Sequence, residues 1–342
     1  TRAKLSFINK ISPINLRELL GIKESDNVKS DALFLNALCL SSKSYEGEIA
    51  ELKSKLLLAK SNEFEEFSLG FAFEISLTRY SSGPGKTSLI ISLYGIFALF
   101  ELWEKEKSNI VKEAIFSFKR LLDQHWLKYE DETKLWYSYQ PHVKDEVYNA
   151  TAKVGRFFSL FHLNFPEEGQ LEKKIEKILS YLQVNQNDDG SWCYSDSYNY
   201  SDSFHTAFIL ESIFEMHKVT RTARSEEMFD LGMQDYQKSF FDKTYRPDHF
   251  HPLYEPKDVR RLILKREIRD YANAIILFSK TNNIDLASSV LSHAVNDLYL
   301  KKRKHFGFYM NRLFRSPIKY IRWQGWMALA IAVYRDKVNY HG

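Results

Sequence analysis

The chain has 342 residues, of which 44% are hydrophobic and 27% charged, with a formal net charge of +4. That length and balance describe a globular chain able to bury a sizeable core, and they exclude a disordered or low-complexity polymer. Thirteen Gly, eight Pro and two distant cysteines, Cys39 and Cys193, exclude collagen-like, disulfide-framed and zinc-finger architectures.

Aromatic residues reach 15%, including 20 Tyr and 6 Trp, a surplus over what a plain helical scaffold needs, which points to a lined cavity. No apolar run reaches the roughly 18–20 residues of a membrane span. The best candidate, Leu89 to Leu99, is too short, and residues 1–4 open no apolar signal region. A cytoplasmic, reducing location is the expectation.

Residues 1–25 read as an N-terminal extension and 26–342 as one domain dominated by amphipathic helical periodicity. The pattern predicts helices at Thr87–Glu104, Ser108–Tyr129, Asp145–Leu163, Leu171–Asn185, Ser203–Lys218, Ser225–Phe241, Leu264–Thr281, Ile284–Tyr299 and Tyr320–Asp336. They come in pairs. The first turns of alternate helices align at Ser30, Thr87, Asn149, His205, Asp270 and Arg322, with intervals of 57, 62, 56, 65 and 52 residues. A period of that size holds two helices and two loops, and six such units fit the chain. The expected fold is all-α: a closed (α/α)6 toroid of six helical hairpins, with short aromatic loops around a central cavity. An open solenoid is the structural alternative. Segments such as 87–93, 206–210 and 326–332 are apolar nearly all round, as inner helices must be. Their N-terminal ends, with free N–H groups and positive dipole ends, would form a mouth suited to anionic and polar substrates.

Arg79-Tyr80 precedes Gly83-Pro84-Gly85-Lys86-Thr87, but Tyr80 stands where a phosphate loop needs its first Gly. A tight turn placing Lys86 near the cavity is the better reading. Trp136 to Gln140 and His305 to Tyr309 are aromatic loops that could stack on sugar rings, with Tyr139 as an acid/base candidate. Asn149 opens the third inner helix. Gln186-Asn187-Asp188-Asp189-Gly190-Ser191-Trp192 reads as a helix stop, a turn and a packing indole: a hairpin clasp rather than a site. Asp202 can cap the next helix and His205 sits in its first turn, where an imidazole could exchange protons. Asp270 and Tyr271 take the corresponding place one unit later. Arg322-Trp323 opens the last inner helix, with a cation able to grip a carboxylate or phosphate. From Lys257 to Arg322 there are 15 Lys and Arg against 5 Asp and Glu, which suggests an anionic ligand. No His/Cys cluster has metal spacing, so neither metal nor other cofactor is expected.

The segment 186–192 resembles the Gln/Trp repeat of triterpene cyclases and their prenyltransferase relatives, which are (α/α)6 barrels; their acidic Asp-x-Asp-Asp signature is missing. A broader likeness, from about Thr78 to Tyr334, is to bacterial polysaccharide-biosynthesis proteins of the VpsJ type. It rests on Thr87-Ser88, Asn149-Ala150-Thr151, the 187–194 loop, Asp202 to Ser212, Arg269 to Ala272 and Arg322 to Met327. The last helix also resembles, over a short stretch, the helical domain of glucuronyl C5-epimerases. These resemblances imply a toroid acting in capsular or exopolysaccharide biosynthesis or modification, associated with the synthesis machinery.

The expected activity is epimerase- or lyase-type acid/base chemistry on an anionic glycan or lipid-linked sugar. Its acid/base residues would come from His205, Tyr139 and Tyr271. Arg79, Lys86, Trp136, Asn149, Asp202, Asp270, Arg322 and Trp323 would bind substrate. A non-catalytic glycan-binding component and a terpenoid-cyclase-like protein with an apolar cavity are the alternatives. Nucleic acid is not an expected partner.

Overall fold

A computed structural model describes residues 14–17, 19, 21, 26–76, 81–144, 146–169, 171–256, 266–310, 316 and 318–341. Eleven α-helices account for most of them: α1 Val28–Cys39, α2 Glu46–Leu58, α3 Leu89–Glu106, α4 Asn109–Leu121, α5 Tyr148–Asn164, α6 Glu172–Val184, α7 Ser203–Thr220, α8 Ala223–Ser239, α9 Ile268–Lys280, α10 Ile284–Leu298 and α11 Ile321–His341. The odd-numbered helices form the inner layer. Each packs against the next in chain order, and α11 packs against α1, closing a ring. Helices α2, α4, α6, α8 and α10 lie outside, each folded back on the inner helix before it. Among the described residues α11 has no outer partner of its own. The fold is the expected all-α toroid, closed rather than open.

The sequence explains which helix goes where. Every residue from Leu89 to Phe100 in α3 is buried, because the helix is covered on all sides. In α4 only Val111, Ala114, Ile115, Ser117, Phe118 and Leu121 are buried, a single stripe facing inward. Close approach between the layers needs a missing side chain in α5. A Cβ on Gly155 would lie 2.3 Å from the Met216 sulfur of α7.

The helix boundaries agree with the periodicity to within a few residues, with one correction. The segment expected as helix to Tyr129 leaves α-geometry at Leu121. It passes through a wide turn at Leu122–Trp126 and then pairs as β-strand Leu127–Glu130 with Leu135–Tyr137. Trp126 is fully buried at this break. Anchoring it takes the chain off the helical path.

The first turns aligned by the period, Ser30, Asn149, His205, Asp270 and Arg322, all lie in the first three residues of inner helices, and Thr87 lies two residues ahead of one. Among the described residues no helix is long and apolar enough to cross a membrane.

Candidate active site in the toroid cavity

The ring's interior is organised in three layers along the inner helices. The uppermost is built on their N-terminal turns. Asp202 caps α7 by accepting from the His205 backbone N–H at 2.9 Å, and the same carboxylate accepts from His205 Nδ1 at 2.7 Å. Burial works against the Asp202 charge, yet His205, and behind it His249, hold its carboxyl below the usual range. The Nδ1 proton is thereby fixed toward Asp202, leaving Nε2 of a quarter-exposed imidazole as its proton-exchanging atom.

A second pair stands beside it. The chain at 249–254 runs antiparallel to residues 201–203, with Ser203 N–H donating to the His249 carbonyl at 2.9 Å. His249 Nδ1 meets both Asp270 carboxylate oxygens at 2.9 Å, with the pair almost wholly buried. Burial alone would depress His249, but Asp270, with Glu267 and Asp202, outweighs it and raises the imidazole to about 9. Asp270 also accepts from the Glu267 backbone N–H at 3.0 Å, closing a capping box at the start of α9.

Cations complete this layer. Arg269 is paired with Glu267 and lies 4.3 Å from the Phe204 ring and 4.8 Å from that of Trp323. Arg322 lies 4.1 Å from the Trp323 ring and is ion-paired to no described residue. Its own burial and the neighbouring Arg269 lower it to about 10.

One helical turn deeper lies an aromatic floor of Tyr94, Phe208 and Trp326, with Tyr94 and Trp326 edge to face at 5.1 Å. Two lysines reach into it. Lys29 Nζ sits 3.9 Å from the Tyr94 ring centre, and Lys153 Nζ sits 3.3 Å from that of Phe208 and 4.6 Å from that of Tyr94.

The third layer is a buried ion network. Arg156 pairs with Glu211 at 2.8 Å, Lys280 bridges Glu211 at 2.9 Å and Glu215 at 3.1 Å, and Lys218 closes on Glu215 at 2.8 Å. Desolvation opposes the Glu211 charge, but Arg156, Lys280 and Lys153 hold it down to about 2. The space left here, between Asn36, Tyr94, Glu101, Arg156 and Trp326, is about 30 Å³. That volume accommodates ordered water and no sugar ring. The interior is therefore charged along its length, which opposes the apolar-cavity reading of the sequence.

Among the described residues, one group of carboxylates and histidine, Asp189, Asp235 and His251, comes close enough to be weighed as a metal site. However, His251 Nδ1 accepts from the Leu253 N–H, so its proton is on Nε2 and is donated to Asp235 at 3.0 Å. That nitrogen has no lone pair for a cation. The cluster belongs to the 186–192 clasp, where Gln186 donates to the carbonyls of Gly190 and Met228, and the Trp192 indole donates to Leu182 O at 2.9 Å.

Searches by sequence found no matching family model and no matching curated protein. Solved structures do match. Cellobiose 2-epimerase from Spirochaeta thermophila superposes with a TM-score of 0.66 at 10% identity, covering 93% of this chain and 87% of that one. A family 76 glycoside hydrolase (mannosidase) from Bacteroides thetaiotaomicron gives 0.62 at 11% identity, covering 92% and 87%. A polysaccharide lyase gives 0.59 at 10% identity, covering 99% and 98%. The chain shares their (α/α)6 toroid fold.

The residues singled out from sequence fall into distinct places. His205, Asp202, Asp270, Arg322 and Trp323 meet in the upper layer, and half-buried Tyr139 lies close enough to act electrostatically on Arg322. Asn149 is buried in the first turn of α5, its Nδ2 without a partner. Three expected roles change. Tyr271 points outward, fully buried, and donates to Asp297 at 2.7 Å, so it is unavailable as an acid or base. Asp202 and Asp270, expected to bind substrate, have their carboxylates engaged by His205 and His249. Trp323 has Phe308 stacked on it at 5.3 Å and two guanidinium groups nearby, so its ring supports cations and offers no open face to a sugar.

Trp136 is buried in the hairpin strand Leu135–Tyr137. Lys86 is exposed and paired with Glu63 at 3.4 Å. Arg79 lies outside the described residues. His249, Lys29 and Lys153 were missed. The two lysines did carry a signal, as charges set in otherwise apolar inner-helix turns; His249, in an irregular loop, carried none.

Proposed function

We propose that this chain is a carbohydrate-processing enzyme that moves a proton on an acidic sugar held in the toroid mouth, by epimerase- or lyase-type chemistry. The observation that carries this reading is the pair of imidazoles, His205 and His249, each fixed through Nδ1 by a buried carboxylate in the layer that also holds Arg322 and Arg269. His205 Nε2 takes a proton from the carbon next to the substrate carboxylate, and the electron pair moves onto that carboxylate, which Arg322 neutralises. His249, held as the imidazolium by Asp270, returns a proton. Delivery to the opposite face of the carbon gives an epimer; departure of the neighbouring oxygen substituent, protonated as it leaves, gives an unsaturated sugar.

Hydrolysis by a carboxylate pair is less well supported, because Asp202, Asp270 and Glu267 are each occupied by a cationic or imidazole partner. The names of the structural neighbours, a sugar epimerase, a mannosidase and a polysaccharide lyase, support a glycan as substrate class. The resemblance to VpsJ-type proteins supports a place in bacterial surface-polysaccharide biosynthesis, in the cytoplasm.

The test is incubation of the purified protein with uronate-containing oligosaccharides in deuterated water, reading deuterium uptake and new unsaturation. His205→Asn and Arg322→Ala are expected to lower either signal by roughly 10²–10⁴-fold. Full activity in both variants would refute the assignment.

A further inference from the structure

Two lysines reach into the aromatic floor, and only Lys153 acts on a nearby acid, as the least of the three cations that hold Glu211. Lys29 is 7% exposed and Lys153 1%, and neither ammonium group has a hydrogen-bond or ion-pair partner among the described residues. Both lie against the one Tyr94 ring, at 3.9 and 4.6 Å from its centre. Cation–π contact recovers only part of what an amine loses on leaving water, and a second amine alongside opposes the first. Several other buried polar atoms of the inner helices are also without a hydrogen-bond partner. Asn149 Nδ2, Trp323 Nε1 and Trp326 Nε1 can only donate, and Tyr94 and Ser30 offer hydroxyls. Arg322 and Arg269 stand just above, close enough to act electrostatically on Lys29. The nearest acid below, Glu211, is already held by Arg156 and Lys280. Such a donor-rich, acceptor-poor setting is complementary to an anion with several acceptor oxygens, and four cations on four inner helices exceed what one carboxylate requires.

We propose that the floor between Lys29 and Lys153, roofed by Arg322 and Arg269, binds a phosphate-ester dianion, so that the acidic sugar processed at the mouth also carries a phosphoryl group. This rests on the mouth being the reaction site and specifies its substrate class. In the unliganded floor, burial and the neighbouring cations push both amines well below the usual lysine range. A dianion arriving there favours the charged form of both amines and offsets that penalty.

The experiment is calorimetry and thermal unfolding of the full chain with inorganic phosphate, a hexose 1-phosphate and a polyprenyl-phosphate-linked sugar in micelles, against chloride at matched ionic strength. Phosphate is expected to raise Tm and to give a saturable binding heat that chloride does not. Lys29→Met and Lys153→Met are expected to weaken phosphate binding at least tenfold while raising the ligand-free Tm, because each replaces an unpartnered buried amine by an apolar chain of similar length. Should either Met variant fail to fold, Lys29→Gln and Lys153→Gln are read for the same loss. Tighter binding of the hexose phosphate than of the micellar substrate identifies a soluble phosphosugar, and the reverse a lipid-linked one. Phosphate indistinguishable from chloride, or bound equally by both lysine variants, overturns the proposal. His205→Asn separates the two readings: it is expected to abolish deuterium uptake and keep phosphate binding. Deuterium uptake from a phosphate-free glycan with no response to phosphate would refute the floor site alone.

Discussion

The role proposed for His205 depends on Asp202, which serves the α7 backbone and the imidazole with one carboxylate. Asp202→Asn keeps an N-cap acceptor but loses the charge that fixes the Nδ1 proton. Turnover is expected to fall by two or more orders of magnitude with KM little changed, and the pH–rate profile to shift; a profile that stays in place would show that Asp202 acts only as a cap. His249 sets a second pH dependence. Its folded pKa, about 9, lies above the ordinary histidine value of 6.5. The stability it contributes is therefore complete below about pH 6.5 and is lost as pH rises through 9. Urea unfolding between pH 6 and 10 is expected to show that decline in the parent protein and not in His249→Gln.

At this scale the sequence is most deceptive. His205 and Arg322 stand in helix first turns, where the period directs attention. His249 reaches the site only because an irregular loop folds back along 201–203, a tertiary pairing that no local pattern encodes.

Among the elements, the clasp at 186–192 holds the fourth hairpin. Gly190 has φ +94°, and a Cβ there would lie 2.4 Å from the Leu231 carbonyl oxygen of α8. Gly190→Ala combines a left-handed backbone, worth about 1–2 kcal/mol, with that clash. A drop in Tm with the mouth chemistry intact is the expected result, read by calorimetry and by deuterium uptake at low temperature. The helices themselves were legible because covered inner helices and striped outer ones differ in composition. The early end of α4 was not, because Trp126 is anchored by packing from elsewhere in the fold and the local helical pattern runs on past it.

For the whole molecule, closure of the ring brings charges from distant segments together. Arg156, Glu211 and Lys280 come from three inner helices, and removing one member leaves a buried charge unbalanced. Glu211→Gln is expected to cost about 3–5 kcal/mol in urea unfolding at neutral pH. Because Glu211 is held down to about 2 from 4.5, its stabilisation is present above pH 4.5 and lost as pH falls toward 2. The parent is expected to lose stability over that acid range, and the Gln variant to lose less. The periodicity foretold six units and their closure, but which side chains meet on the axis depends on the vertical offset between helices. Lys29, in the first turn of α1, stands level with Trp326, in the second turn of α11. A repeat length says nothing about such offsets.

The ionic base also governs traffic. With about 30 Å³ left at the foot of the axis, the toroid is a cup and not a tunnel. Nothing can be threaded through it. Under the proposed function, a sugar leaves by the route it entered, and product competes directly with the next substrate. If the substrate of the proposed reaction is a polymer, it can present only a terminus to the cup's axis, so the action expected is end-on, one unit at a time.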